Sequence, residues 1–227
     1  MSKNNSMVIK MDEQVLKYKN NLYEKTVHHL KVTIPEKIAE YQALAKSYEQ
    51  QGLENDQQDG QTSKKRKLDA EDYVLMPIED LVKTNRVILE THQKFKRAYI
   101  ELIEIFSVIR GWITLNIPRI EDGNNFGVDV QEDIIAQITK LEEVYTSLLD
   151  GCENYFSTRA SLIKKILKHK EIEAYRYSLA QVDEKEFIRF SFSYFDLANN
   201  YATTYSLIVK NFAKLETPRP TNASNIY

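Results

Sequence analysis

The apolar residues of this chain recur every three or four positions through four long segments, which is the spacing of one face of an α-helix. The clearest segment alternates these steps without a miss from Ile78 to Ile113, and only Asn85 and His92 place polar side chains in its seam. Further apolar residues beside the seam make it wider than that of a two-stranded coiled coil. The pattern therefore predicts helices packed in a bundle.

The first and third segments carry their own boundary signals. The first runs from about Met7 to Tyr48, and Pro35 predicts a kink or short break in it. The proline either ends one helix or stands in the first turn of the next. In the third segment, Asp129 followed by Glu132 predicts a capped helix start.

The fourth segment begins, by the same signal, at Asp183 with Glu186 behind it, and it ends at Pro218 and Pro220. Residues 169–181 before it fit either a short helix or an irregular connection. Long helices joined by few breakers are typical of an elongated up-down four-helix bundle, and this is the fold we expect.

Composition narrows the class of protein. Six glycines and five prolines leave few turns in 227 residues, which favours a single all-α domain over 1–227 rather than a sandwich or barrel. The 31 basic and 33 acidic residues nearly cancel, so charge gives no reason to expect nucleic acid or a membrane as a partner. The single cysteine, Cys152, fits a reducing compartment, and its place on an apolar face predicts a small core residue.

The sequence offers no catalytic chemistry. It has no metalloprotease helix motif, no phosphate-cradling glycine loop and no nucleophile elbow. His28 and His29 are adjacent and do not share a helix face, while His92 is expected to be a hydrogen-bonded or register-setting residue, as is Asn85. We therefore predict no enzyme, no metal site and no cofactor.

Residues 49–75 interrupt the helical pattern with a stretch that has almost no apolar side chains, and we predict a disordered insert there. Four basic residues in this insert are typical of a nuclear-localisation signal: Lys64, Lys65, Arg66 and Lys67. The acids that follow make a poor nucleic-acid patch. A solvated run without a role is the alternative.

Residues 117–128 read IPRIEDGNNFGV and connect the second and third segments. Glycine and asparagine tolerate positive φ, so a compact turn of defined shape is expected. A simple polar connection is the alternative, but it does not explain charged side chains beside an aromatic one. The candidate functional residues of this loop are Arg119, Glu121, Asp122, Gly123, Asn124, Asn125, Phe126 and Gly127.

The tail, residues 216–227, follows the last helix and ends in Asn225, Ile226 and Tyr227. Most termini fray. A tail that ends in two bulky apolar residues and a carboxylate also suits docking into a pocket of a partner.

The wording of the loop resembles the activation loop of the 11S proteasome activators, the REG family. Trp112-Ile113-Thr114-Leu115 precedes it in the position of a family W-x-x-L stretch, and residues 183–187 are similar to the family's acidic start of the last helix. Residues 207–215, followed by Pro218-Arg219, look like the end of that helix. The likeness covers nearly the whole chain except the insert.

This resemblance implies a subunit of a heptameric ring that caps the 20S proteasome and admits peptides or unfolded chains without ATP. It implies that Asn225, Ile226 and Tyr227 bind pockets between proteasome α subunits. The loop from Arg119 to Gly127, with Asn124 foremost, would displace the gate. The basic run is like that of the nuclear gamma form, which implies a nuclear homoheptamer, with cytoplasm also allowed.

A helical scaffold or adaptor that binds other helices and makes no proteasome contact is the competing hypothesis. The seam accounts for it fully, and the loop and terminus would then be incidental.

Overall fold

The computed structural model describes residues 10–57, 70–120 and 123–219, and nearly all of them are helical. No strand occurs within these ranges, so the predicted all-α class is confirmed. A π-helical turn, His29–Thr33, joins the first two helices. The helices are α1 (Glu13–His28), α2 (Ile34–Gln57), α3 (Ala70–Leu75), α4 (Ile78–Leu81), α5 (Arg86–Asn116), α6 (Phe126–Lys168) and α7 (Ala174–Glu216).

Four helical rods form the bundle. α1 packs against α5, α2 packs against α7, and α6 lies against both α5 and α7. α6 and α7 have 43 residues each, so each is roughly 65 Å long at 1.5 Å per residue. The predicted elongated four-helix bundle is thereby confirmed, with short helices α3 and α4 added at one end.

Aromatic side chains fill the core where the rods meet. The Phe95 and Tyr194 rings lie 4.5 Å apart, and Tyr41 stacks on Tyr201 at 5.9 Å between centroids. Near the end of α5, Trp112 stacks on Phe212 of α7 at 5.2 Å. Trp112 is 1% exposed, and its contact with Phe212 fixes the end of α5 relative to the end of α7.

The first rod consists of α1, the π turn and α2, and it passes Pro35 without a break because its backbone hydrogen-bond pattern changes just before the proline. The Ile34 N–H donates to His29 O, five residues back, and this bond defines the π turn. Pro35 is then the second residue of α2, where the N–H that it lacks is not needed. Of the two predicted arrangements, the proline in a first turn is the one observed.

Asn85 is not part of a continuous seam, which corrects the prediction. α4 ends at Leu81, and Asn85 caps α5: its side-chain oxygen accepts from Val87 N at 3.1 Å and Ile88 N at 3.3 Å. Asparagine is among the best N-cap residues, because its side chain satisfies amides that the helix leaves unbonded. Heptad spacing alone did not distinguish a cap from a seam position.

The predicted disordered insert is wrong at both of its ends. α2 continues to Gln57, and α3 begins at Ala70. Tyr73 is 5% exposed and packs with Leu81 and Leu179, so this end does bury apolar surface. The basic run Lys64, Lys65, Arg66 and Lys67 lies outside the described residues.

Asp183 was predicted to cap α7 and instead lies within that helix, which begins at Ala174. It is 2% exposed and accepts hydrogen bonds from Tyr73 Oη at 2.8 Å and Tyr155 Oη at 2.7 Å. Arg159 Nε lies 3.3 Å from the same carboxylate. An acidic residue that looks like a cap in the sequence is therefore a buried anchor for three distant side chains.

None of the helices in the described part of the chain combines the length and apolar character that a membrane span requires.

Candidate functional site

The candidate site lies at the end of the bundle where α5 turns into α6 and α7 ends. α5 stops at Asn116, and Ile117 leaves the helix with φ −60° and ψ 123°. Pro118 explains the stop, because a residue before proline is driven towards extended backbone. The proline thus ends α5 at the point where the sequence predicted that the loop begins.

Gly123 and Asn124 shape the second half of the loop. Their φ angles are +82° and +50°, and Asn124 is the one non-glycine residue of positive φ in the described ranges. Side chains other than asparagine and aspartate rarely adopt this left-handed region. The prediction that these residue types adopt positive φ is confirmed at both positions.

α6 begins at Phe126, three residues before the predicted cap Asp129. Val128 N and Asp129 N donate to the backbone oxygen of Asn125 at 2.8 and 2.9 Å. The Asn125 side chain makes no capping bond, and its amide oxygen instead accepts from Arg219 Nη2 at 2.7 Å. Asp129 was therefore a wrong prediction, because the backbone of Asn125 starts the helix.

Arg219 joins the two sides of the loop. Its Nη1 donates to the backbone oxygen of Arg119 at 2.8 Å, while Nη2 bonds to Asn125. One acceptor lies where the loop begins and the other where it ends, so one guanidinium group links the two ends of the loop. The residue that does so belongs to the start of the C-terminal tail.

Gly127 lets the tail approach α6 closely. A Cβ atom at this glycine would lie only 1.9 Å from the backbone oxygen of Pro218. No real Cβ tolerates that distance, so the contact requires glycine. Beside it, Lys214 Nζ lies 4.3 Å from the centroid of the Phe126 ring, a cation–π contact between α7 and the start of α6.

A buried amide holds the last turn of α7 against α6. Gln131 is fully buried, and its Nε2 donates to Leu215 O at 2.9 Å. The carbonyls at the end of a helix lack partners within the helix, so this bond stabilises the end of α7 just before the tail begins. Hydrogen bonds, a cation–π contact and close backbone packing thus connect the loop, α6 and the start of the tail.

The loop presents apolar surface outward. Ile120 is 99% exposed and Phe126 is 65% exposed. Exposed apolar side chains that lie close together on one loop are candidates for contact with another molecule.

The structure brings together most of the loop residues proposed from the sequence and leaves other candidates undescribed. Glu121 and Asp122 lie outside the described residues, as do Asn225, Ile226 and Tyr227 of the tail. The residues described at this end are Arg119, Gly123, Asn124, Asn125, Phe126 and Gly127. Sequence reasoning treated the loop and tail as separate, and it missed Gln131 and the contacts of Lys214 and Arg219.

A second polar cluster lies inside the bundle and contains a thiol, an imidazole and a carboxylate. His92 Nε2 is 2.9 Å from Glu186 Oε1, and Arg189 also contacts that carboxylate. Arg189 Nη2 lies 3.8 Å from Cys152 Sγ. Burial lowers the His92 pKa, but hydrogen bonds to Cys152 and Glu186 outweigh it, and the net pKa is raised.

This cluster is not arranged for catalysis. His92 is 1% exposed and Cys152 is fully buried, so a substrate has no access to either group. Cys152 is the small core residue that the sequence predicted, and His92 Nε2 lies at ion-pair distance from Glu186. Within the described residues, no group of three or more histidine, cysteine or acidic side chains is placed to hold a metal ion.

The chain is similar to known proteins over its whole length. The family described as "Proteasome activator PA28, C-terminal" matches residues 81–225. "Proteasome activator 28" of Dictyostelium discoideum is 88% identical over 227 residues, which is the full length of both chains. "Proteasome activator complex subunit 3" of Homo sapiens is 38% identical over 176 residues, covering 74% of this chain and 69% of the relative.

Solved structures share the fold. The 11S subunit of the Plasmodium falciparum proteasome, PA28, superposes with a TM-score of 0.75 at 29% identity, over 95% of this chain and all of that one. An activator in complex with an archaeal 20S proteasome gives a TM-score of 0.71 over 93% of this chain and 98% of that one. At 16% identity the second likeness concerns the fold alone.

Proposed function

The chain belongs to the PA28 family of proteasome activators, and on this premise we propose that it stimulates peptide hydrolysis by the 20S proteasome without ATP. The family decides against the helical scaffold or adaptor with no proteasome contact. We assign it a regulatory role, with no catalytic residue, metal or cofactor. The observation that carries the proposal is the shaped, outward-facing loop held against the start of the tail.

The tail and the loop divide the work in this proposal. Asn225, Ile226 and Tyr227 supply affinity by docking in pockets between proteasome α subunits. The loop, from Arg119 to Gly127, presses on the gate, and peptides or unfolded chains then pass. The gate opens only if the loop binds its open form better than its closed form, since equal affinity for both shifts nothing.

Self-association into a homoheptamer is the second part of the proposal. α7 exposes Ile188, Phe192 and Phe195, spaced by four and three residues along one stripe, at 47%, 61% and 53% of their surface. A neighbouring copy is the occupant that we propose for this stripe. Seven tails on one ring raise a weak docking affinity through effective concentration.

The ring is tested by native mass spectrometry of Phe192→Glu beside Val144→Glu. Val144 is also exposed, but the other exposed large apolar residues of α6, Phe126 and Leu167, lie far from it along the helix. We expect Phe192→Glu to dissociate the assembly and Val144→Glu to leave it intact. A heptamer in both variants would argue against α7 as an interface.

We further propose that the protein is nuclear and gamma-like, with some of it in the cytoplasm. The run Lys64, Lys65, Arg66 and Lys67 supports this, because such runs act as nuclear-localisation signals. A tagged protein with these four residues neutralised should move to the cytoplasm. Unchanged nuclear staining would contradict the assignment.

The decisive experiment measures hydrolysis of a fluorogenic peptide by latent 20S proteasomes without ATP, as the protein is titrated in. We expect stimulation that disappears when Ile226 and Tyr227 are removed, while the oligomer survives. No stimulation by a confirmed oligomer would overturn the proposed function. A truncated protein that still stimulates would overturn docking by the tail.

The role of the loop is separated from docking by two substitutions of Asn124. Asn124→Gly keeps access to positive φ and removes the side chain, whereas Asn124→Val makes φ +50° costly. Both should still bind the proteasome. If shape is what opens the gate, Asn124→Gly retains more stimulation than Asn124→Val; equal losses would assign the role to the asparagine side chain.

A further inference from the structure

The guanidinium group of Arg219 makes a contact that the bundle itself does not need. Arg219 follows α7 by three residues, and both of its bonds to the loop lie at the surface. Its acceptors, the Arg119 carbonyl and the Asn125 amide oxygen, would be satisfied by water if the arginine were absent. The contact therefore adds little to the free energy of folding, and its main effect is to fix the position of the loop.

The geometry in question is the position of the loop relative to the tail. Arg219 reaches the residue that enters the loop and the residue that leaves it. Pro218, immediately before it, packs where a side chain at Gly127 would stand. The start of the tail is thus held against both sides of the loop, and the turn residues Gly123 and Asn124 lie in sequence between the two residues that Arg219 contacts.

An arginine suits this place better than a lysine. Its planar fork offers separate N–H donors in fixed directions, so Nη1 and Nη2 bond to two different acceptors at once. A lysine keeps the charge, but it is a point donor on a flexible stem. The arrangement observed uses the fork.

We propose that Arg219 is a positioning residue that couples the tail to the loop, so that a docked tail delivers the loop to the gate in one defined place. The inference rests on the proposed function and deepens it. Affinity comes from the last residues of the tail, which Arg219 does not alter. Stimulation at saturation depends on the loop arriving already ordered, because ordering it at the gate costs conformational entropy.

The test is a full titration of latent 20S proteasomes with Arg219→Ala, Arg219→Lys and the control Arg97→Ala. Arg97 is exposed and bonds only within its own helix, to Gln93 O, so it matches the loss of charge. For Arg219→Ala we expect maximal stimulation to fall about tenfold, the equivalent of one lost charge-assisted hydrogen bond. The half-saturating concentration should stay within about twofold, and Arg219→Lys should lie between alanine and wild type.

A loss seen only in the half-saturating concentration would make Arg219 a docking residue and overturn the inference. Full stimulation by Arg219→Ala would overturn it as well. A double variant, Arg219→Ala with Asn125→Ala, tests the route: it should stimulate no less than Arg219→Ala alone. Independent, multiplying losses would show that Arg219 does not act through the loop.

Hydrogen exchange in the free protein separates this inference from the proposed function. Peptides covering residues 117–130 should exchange faster in Arg219→Ala than in wild type or Arg97→Ala. If the wild type fails to stimulate the proteasome, the proposed function falls, and exchange still decides whether Arg219 orders the loop. Unchanged exchange would overturn the inference whatever the proteasome does.

Discussion

Arginine side chains fasten both ends of the bundle, but in opposite surroundings. At the end that carries α3 and α4, Arg159 is 6% exposed and lies beside the carboxylate of Asp183. Arg176 there donates to the backbone oxygens of residues 73, 74 and 76, at 2.7 to 3.1 Å. At the other end, Arg219 bonds to two uncharged oxygens at the surface.

The difference indicates which end is fixed and which is adjustable. A buried arginine whose carboxylate is removed is left as an uncompensated charge, so that end cannot change without loss of fold. A surface arginine exchanges its partners for water at little cost. The contacts at the loop end can therefore be selected for function at little cost to stability. The contacts at the opposite end instead hold the chain in place where it rejoins the bundle after the insert.

Asp183→Ala should have the largest effect. It leaves Arg159 buried without its carboxylate, and it removes the acceptor of the Tyr73 and Tyr155 hydroxyls. We expect the free energy of unfolding to fall by about 3–5 kcal/mol in chemical denaturation at fixed protein concentration. The exposed neighbour Glu184→Ala is the control and should change it by no more than about 0.5 kcal/mol. Equal effects would mean that the buried cluster stabilises nothing.

Gly127→Ala should come next, and it acts at the loop end. The new Cβ would meet the Pro218 oxygen at 1.9 Å and displace the tail, for a cost of about 1–3 kcal/mol and a loss of stimulation. Gly111→Ala is the matched control, since its Cβ would stand 3.6 Å from Leu22 Cδ1, an ordinary contact. In the interior of α5 that change should stabilise by up to about 1 kcal/mol. Stimulation equal to wild type in Gly127→Ala would contradict the close approach.

A smaller, graded effect is expected from pH. His92 lies against Glu186 of α7, which also pairs with Arg189, and against Cys152 and Tyr155 of α6. Its raised folded pKa means that the protonated ring stabilises the fold below the unfolded pKa of 6.5, and that this contribution is lost as pH rises through the folded pKa. Unfolding measured upwards from pH 6 should show a decline that His92→Gln reduces. The same slope in both proteins would assign the decline to another group.

The smallest effect on stability should come from Arg219→Ala. Its bonds to the Arg119 carbonyl and the Asn125 amide oxygen lie at the surface, where water can take its place, so losing them should change the free energy of unfolding by about 0.5 kcal/mol or less. Thermal unfolding beside wild type measures it. A loss as large as that of Asp183→Ala would erase the contrast between the two ends.

Much of the fold was predictable because helical periodicity and helix breakers are local signals. The apolar positions from Ile88 to Ile113 and the apolar face of Tyr194 and Tyr201 were read correctly from spacing alone. The errors fell on helix starts. Asparagine and aspartate side chains are both typical of helix caps, and only packing decides that Asn85 caps a helix whereas Asp183 accepts hydrogen bonds from distant side chains.

The site was predictable in part for the same reason. Gly123 and Asn124 announce positive φ by residue type alone. Nothing local announces that Gly127 faces Pro218, or that Arg219 bonds to Arg119 and Asn125, because those contacts join positions about 90 to 100 residues apart. Such pairs become visible only when α5, α6 and α7 end side by side.

The π turn keeps the backbone of the first rod helical without a break, but it changes the direction in which the apolar face of the rod points. On one side of His29–Thr33 the chain faces α5, and on the other it faces α7. One residue more or less turns a helix by about 100° about its axis. The π turn accommodates one residue more than an α-helical turn, so the buried positions before and after it are offset by one residue in sequence while Leu22, Thr26 and Tyr41 all face the core.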